Sequence, residues 1–572
     1  MGKILRCARK YLGYLLLAPV FIMCEVLLEV YIPRVMSALV DEGIPSRDLG
    51  VVTHLGLIMV GLACLSLVAG SLSAYFSVKG SIGFGSELRK SVFYEIQDFA
   101  FNNIDDFQNS SLITRCTTDV EYIQQGMMMV TRIVVRAPFM MIMAIIMALQ
   151  INRPLVKIFF IAMPIIVVAM ILAGTFAMPL FKKMMEQYDS LNLTVQEDLT
   201  NIRVVKSFVR EDYEKKRFNK TNKNLMESSI KIELLFAFVS PIMSIVIYGV
   251  TVAILWFGGQ QIIGGTMTTG ELISFISYVM QILMGLMMIA MIFMNLIQLR
   301  GSVSRISEVL NEEITLTDGP FDYEVEDGSI VFDNVSFAYS SDAEQPVLKN
   351  INLNINSGER IGILGATGSG KTSLVNLIPR LYDTTEGNII VSGHNVKDYK
   401  LKNLRDDVAM VLQQNVLFSG TIKDNLKWGD VNATDEEIEQ ACKQAQAHDF
   451  IMSFPDQYDT ELGQGGVNIS GGQKQRLCIA RALISKPKII ILDDSTSAVD
   501  TATDSKIRTA LKEELSETTT IIIAQRVSSV LDADRILILE NGEINDFDTP
   551  ERLLEHNPIF QDIYETQMKG VD

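Results

Sequence analysis

Cysteine is scarce and unpatterned. Six occur in 572 residues, at positions 7, 24, 64, 116, 442 and 478, with no C-x-x-C spacing. That excludes a disulfide framework and a cysteine-rich zinc site. A basic excess is also missing, because the formal net charge is −17. A nucleic-acid binder carries a basic footprint, so no nucleic-acid partner is expected. Solenoid repeats and low-complexity tracts are absent. The chain starts with Lys3, Arg6, Arg9 and Lys10, followed by a long apolar run without a clear small-residue cleavage site. That run is expected to persist as a first membrane helix, not as a signal peptide. The four cations predict a cytosolic N-terminus.

What is abundant is apolar surface. Hydrophobic residues make up 48% of the chain, and the mean hydropathy is +0.25. Such values are high for a soluble protein and point to membrane spans. Six apolar segments follow, at about 12–40, 52–79, 127–150, 154–180, 235–258 and 270–297. A bilayer core needs roughly 20 apolar residues per helix, and each segment supplies about that number or more. Segments 41–51, 151–153 and 259–269 are short loops, whereas 80–126 and 181–234 are long and charged. The latter carries Lys182, Lys183, Arg203, Lys206, Arg210, Lys215, Lys216 and Arg217. Positive charge marks the cytosolic side, so both long segments are expected to extend the helices inward. Residues 1–300 thus read as a transmembrane domain. Residues 301–328 read as a linker, where Glu308, Glu312, Glu313, Asp318, Gly319 and Pro320 replace the apolar pattern.

Residues 329–572 change class. Strand-like runs at Ile330–Phe337, Arg360–Leu364, Asn388–Val391, Val408–Leu412, Lys488–Leu492, Thr519–Ile523 and Arg535–Leu539 alternate with helical stretches. That alternation predicts an α/β domain on a mainly parallel sheet. The run Arg360–Leu364 ends in Gly365, Ala366, Thr367, Gly368, Ser369, Gly370, Lys371, Thr372 and Ser373. This is a P-loop pattern. Its glycines let backbone N–H groups approach phosphate, Lys371 adds a point charge, and the Thr372 hydroxyl suits Mg²⁺. The following helix would point its positive end at the anion. Ile489–Leu492 leads to Asp493, a carboxylate at a strand end, where it could hold Mg²⁺. Ser470, Gly471, Gly472 and Gln473 open another helix suited to phosphate. One ATP needs only one P-loop, so this second phosphate-ready helix must serve something else.

With these motifs in this order, the chain resembles the ABC exporters over essentially its whole length. The resemblance implies six membrane helices fused ahead of one nucleotide-binding domain, with ATP and Mg²⁺ as cofactors. It also implies a dimer in which Ile469–Gln473, the signature motif, closes on ATP held by the partner's P-loop. Tyr339 matches the aromatic that stacks on adenine, although a core tyrosine would look the same in sequence. Gln413 matches the glutamine that senses Mg²⁺ and the membrane domain, with Gln414 beside it as an alternative. Thr460–Gly466 resembles the loop that cross-links the domains, and Ser497–Asp500 the loop through which they communicate. Asn102–Phe107 and Asn201–Val209 match coupling helices.

Two positions depart from the family. Its general base is a glutamate, and here Asp494 stands in that place. Aspartate is one methylene short, and a base must reach its water. Misplacement by about 1 Å can cost ~10²-fold. The family's switch histidine is replaced by Gln525, which can hydrogen-bond a γ-phosphate but cannot carry positive charge. Both departures fall in a site whose P-loop is intact. The pattern resembles the degenerate-site subunit of heterodimeric bacterial multidrug transporters. It implies a homologous partner chain with an intact site, in a bacterial plasma membrane, exporting small amphiphilic drug-like or lipid-like molecules. A homodimeric lipid or peptide exporter, and a nucleotide-gated regulatory subunit without cargo, remain alternatives.

In the membrane half, Glu25 and Glu29 lie four residues apart on one face of the first span. Ionisable groups there are costly and need a reason. Pairing with Arg132 or Arg136, a wetted position, or binding of a cationic cargo would each supply one. The last span is methionine-rich from Met280 to Met294. Such a run suits either adaptable packing or a promiscuous binding surface.

Overall fold

A computed structural model of the chain describes residues 2–107, 109–340, 345–494, 501–514 and 517–568. It divides into two compact units. One comprises residues 1–97 and 110–311, the other residues 98–109 and 312–572.

The first unit is helical throughout. All six expected spans fall within long helical stretches: Gly2–Ser46, Leu49–Gln97, Ser110–Ile151, Arg153–Thr200, Glu211–Ile263 and Thr269–Asn311. Five stretches among the described residues are long and apolar enough to cross a membrane. At 1.5 Å per residue the 49-residue helix Leu49–Gln97 is roughly 70 Å long, about twice the thickness of a bilayer core. The long charged segments are therefore continuations of membrane helices. None of the most apolar window of Leu49–Gln97 is buried inside the protein. Such a face needs lipid or another helix to cover it. Asn152 breaks the helix between the third and fourth stretches. Its extended backbone stops one helix, and its side chain accepts the Leu155 N–H at 3.1 Å to start the next. The core of this unit gathers Val26, Val30, Met140, Ala144, Ile254, Phe275, Tyr278 and Ile282. Buried Tyr278 donates its hydroxyl to Val30 O at 2.9 Å, so the polar atom is satisfied.

The stretch read as a linker from residue 301 is not one throughout. The last helix continues to Asn311. Ile306, Val309 and Leu310 are fully buried at helical spacing. Ser302 donates to Asp119 at 2.7 Å, and Arg305 pairs with the same carboxylate. Glu308, one of the charged residues behind the linker reading, pairs with Arg115 at 2.9 Å.

The second unit holds two main sheets. Its strands are β1 Ile330–Phe337, β2 Leu348–Ile355, β3 Arg360–Leu364, β4 Glu386–Val391, β5 His394–Asn395, β6 Val408–Val411, β7 Gly420–Thr421, β8 Glu461–Leu462, β9 Ile489–Asp493, β10 Thr519–Ile523, β11 Arg535–Glu540 and β12 Glu543–Asp548. A six-stranded sheet runs in the order β12-β11-β3-β10-β9-β6. It is parallel except for the antiparallel edge strand β12. A separate antiparallel sheet has the order β2-β1-β4-β5. The expected runs at β1 and β4 thus leave the parallel sheet and form their own layer. β9 is buried along its whole length; its Ile489–Leu492 run is apolar, as a strand inside a parallel sheet should be, and Asp493 closes it. The short helix Phe101–Asp106, within the segment expected to couple, groups with this second unit. There Tyr382 donates to Asp105 at 2.8 Å, and Asn103 donates to Glu312 at 3.1 Å. The other expected coupling segment forms the helix Ile202–Ser207 in the first unit.

Candidate functional site

The strand order brings the sequence motifs together. β3, β10, β9 and β6 are consecutive parallel neighbours. The P-loop leaves the carboxyl end of β3, and Gln525 lies just beyond that of β10. Asp493 closes β9 with Asp494 next, and Gln413 follows β6. In open parallel sheets ligands bind outside the carboxyl strand ends. A cleft of about 680 Å³ opens there, lined by residues 365–368 and 370–373, Gln413, Asp493, Asp494 and Gln525. Of the two neighbouring glutamines, Gln413 belongs to that lining and Gln414 does not.

The loop conformation demands glycine. Gly365 has φ +156°, and a Cβ there would lie 2.3 Å from Leu539 O. Gly370 has φ +97°, and its Cβ would meet Leu348 at 2.8 Å. Lys371 Nζ reaches back across the loop, donating to Gly365 O at 2.8 Å and Ala366 O at 2.9 Å. Thr372 donates its hydroxyl to Asp493 Oδ2 at 2.9 Å. Ser369 Oγ is buried without a hydrogen-bond partner among the described residues, so a donor or acceptor is wanted inside the loop. The charges are strained by burial. It lowers the pKa of Lys371 and raises those of Asp493 and Asp494. The mutual attraction of the lysine and the carboxylates only partly offsets the effect.

Asp494 and Gln525 touch directly. The Gln525 amide Nε2 donates to Asp494 Oδ2 at 2.8 Å. Gln413 also hydrogen-bonds this carboxyl group, and both amides counteract the upward push of burial on its pKa. Asp494 sits at φ +46°, in the left-handed region. Aspartate tolerates that region better than most residues. Its amide donates to Ile523 O at 3.0 Å, which ties the turn to the end of β10.

The signature residues lie elsewhere. Ser470 caps the helix Gly471–Ile484 in a reciprocal box: its N–H donates to Gln473 Oε1 at 2.8 Å and its Oγ accepts the Gln473 N–H at 3.3 Å. Ser470 and Gly471 are exposed, and none of residues 470–473 lines the P-loop cleft. Tyr339 is 44% exposed, and its hydroxyl bonds Ser373 Oγ at 2.8 Å at the start of the helix after the P-loop. It is not a core tyrosine. The loop Thr460–Gly466 turns through Gly465 and Gly466, both at positive φ. Residues 497–500 lie outside the described residues.

Two contributors carried no sequence signal. Gln475 Nε2 donates to Asp494 O at 3.3 Å from within the signature helix. Gln567, on the helix Pro558–Met568, accepts the Val527 N–H at 2.7 Å and donates to Gln525 O at 2.9 Å. Nothing in a glutamine 42 residues downstream marks it as a neighbour of Gln525.

Residues 15–287 match the ABC transporter transmembrane region, and residues 348–497 match the ABC transporter family. The chain is 37% identical over 557 residues to the uncharacterized ABC transporter ATP-binding protein YfiB of Bacillus subtilis (strain 168), covering 96% of each. A candidate multidrug export ATP-binding/permease protein of Staphylococcus aureus (strain NCTC 8325) is 38% identical over 375 residues, 65% of each chain. The solved structure of a bacterial Atm1-family ABC exporter with ATP bound superposes with a TM-score of 0.81, covering 98% of each chain at 24% identity. That likeness establishes the fold. A helical transmembrane region of several apolar helices, fused ahead of an ATP-binding domain, places this chain in the ABC transporter family as a multi-pass membrane protein.

Proposed function

We propose that this chain is one half of a heterodimeric exporter of amphiphilic small molecules, drug-like or lipid-like, in a bacterial plasma membrane. Its N-terminus and ATP-binding domain face the cytosol. Its own site binds MgATP and hydrolyses it poorly, while its signature helix completes the partner's competent site. The cleft suits MgATP on its own chemistry. Burial disfavours the charged forms of Lys371, Asp493 and Asp494, and Ser369 Oγ has no hydrogen-bond partner among the described residues. Magnesium phosphate would offer an anion to the lysine, a cation to the carboxylates and a partner to the serine. Thr372, Asp493 and Gln413 are the residues that would hold the metal, together with the nucleotide's oxygens.

The observation that carries the reading is the Asp494–Gln525 contact at 2.8 Å. The carboxylate in the base position is short and already engaged by a neutral amide. A water wanting deprotonation meets neither full reach nor a charged switch. Export of amphiphiles is supported by the S. aureus relative described as a candidate multidrug export protein. The test is ATPase activity of the purified chain alone and with its partner. Little turnover alone, restored on co-expression, is expected. Robust hydrolysis by the isolated chain, abolished by Lys371→Ala, would overturn the division of labour and favour a homodimer.

A further inference from the structure

The first unit contains a cavity of about 350 Å³ bordered by the helices Gly2–Ser46 and Ser110–Ile151. Its apolar wall is Ile22, Met128, Met129 and Ile133, and its charged groups are Arg132 and Arg136. The two arginines are one helical turn apart, so they share a face. Their circumstances differ. Arg136 is held by two carboxylates, Glu25 at 2.5 Å and Glu29 at 2.7 Å. Arg132 makes no ion pair or side-chain hydrogen bond among the described residues. The remaining polar lining group, Gln125, is already tied to Glu121 at 3.2 Å.

The carboxylates do not line this cavity. Glu25 is packed against the helix Leu49–Gln97, where a Cβ on Gly70 would come within 3.0 Å of both its oxygens. The charge of Arg136 is met by these two carboxylates, so the cation that the lining leaves without an ion pair among the described residues is Arg132. An unpaired guanidinium within a membrane-spanning helix is expensive, and it is kept where an anion or a polar ligand compensates it. Guanidinium is the side chain best shaped for planar oxyanions. Two adjacent methionines beside it offer soft, adaptable apolar contact. We propose that this cavity is a binding site for anionic amphiphiles, with Arg132 receiving the head group and the Met128–Met129 wall receiving the apolar body. The inference rests on the reading of the chain as an exporter of amphiphiles and narrows that class by charge. It also removes Glu25 and Glu29 from the cargo site and makes them positioning residues for Arg136.

The experiment uses the purified full-length chain with its partner, nucleotide-free, in phosphatidylcholine nanodiscs. Radiolabelled cholate, taurocholate and lysophosphatidate present carboxylate, sulfonate and phosphate heads. Tetraphenylphosphonium is the cationic counterpart. At least one anion should bind saturably. Arg132→Gln should weaken it about tenfold, the loss of one charge-assisted contact. Arg132→Lys should recover most of the affinity, and ATP binding should be unchanged in both variants as a check on folding. Phosphatidylglycerol in the disc distinguishes the occupant's source. Competition by it that disappears in Arg132→Gln assigns the site to a membrane lipid, and indifference to it assigns the site to a soluble cargo. No saturable anion binding, anion binding indifferent to Arg132→Gln, or tetraphenylphosphonium binding that depends on Glu25 would each overturn the proposal. None of these outcomes depends on which subunit hydrolyses ATP, so the heterodimer can fail separately.

Discussion

At the scale of single residues, Asp494 and Gln525 decide what the site can do. Both identities are legible in the chain, because each follows an apolar strand within a recognisable motif. Their contact is not legible, since it depends on β9 and β10 lying side by side. The backbone at Asp494 was equally hidden. Its φ of +46° favours a short polar side chain, so a glutamate there would add reach at some conformational cost. Restoring the base alone should therefore fall short. In a complex whose partner site has been disabled, Asp494→Glu should raise ATPase activity little, because Gln525 still supplies no charge. Asp494→Glu combined with Gln525→His should raise it by about tenfold or more over the single variant. Steady-state phosphate release measures both. A double variant no faster than wild type would mean the defect lies elsewhere in the site.

At the scale of elements, apolar strands were the easiest to read. β1, β3 and β10 coincide with runs visible in the sequence, each dense in β-branched or aromatic residues. β12, with the sequence EINDFD, was missed because it is a polar edge strand with no continuous buried face. The end of the last membrane helix was misread because its charged residues find partners within the protein, Arg305 with Asp119 and Glu308 with Arg115. The helix Pro558–Met568 shows what such local reading leaves out. Phe560 anchors it in a core with Val527, Val530 and Ile538, and Gln567 grips the backbone on both sides of Arg526. This helix therefore fixes the segment that presents Gln525 to Asp494. Gln567→Ala should free the Val527 amide, speeding its hydrogen exchange by about an order of magnitude, as loss of ~1–2 kcal/mol of local protection would. Nucleotide affinity at this site should fall with it. Exchange of residues 524–528 at the wild-type rate would show that the glutamine does not clamp the segment.

At the scale of the whole molecule, the architecture was written in composition: apolar segments long enough to span a bilayer, then an α/β pattern carrying a P-loop. The proposed partner chain would meet the exposed start of the signature helix, at Ser470 and Gly471, which lies outside this chain's own P-loop cleft. If the Asp494 site keeps ATP through several turnovers of its partner, the two ATP-binding domains stay tethered on that side. The Asp494 side would then act as an ATP-dependent hinge, and the inward-facing state would open mainly at the competent site. Double electron–electron resonance can measure this in the turning-over complex. One label pair would flank the Asp494 site, and another would join exposed Val467 beside the signature to the partner's P-loop side. A small distance change across the Asp494 site with a large one across the other is expected. Replacing Lys371 with alanine should weaken ATP retention and widen the first distribution towards the second. Equal, wide opening at both sites during turnover would rule out the hinge, even if the isolated chain proves inactive, because poor hydrolysis without retained nucleotide supplies no tether.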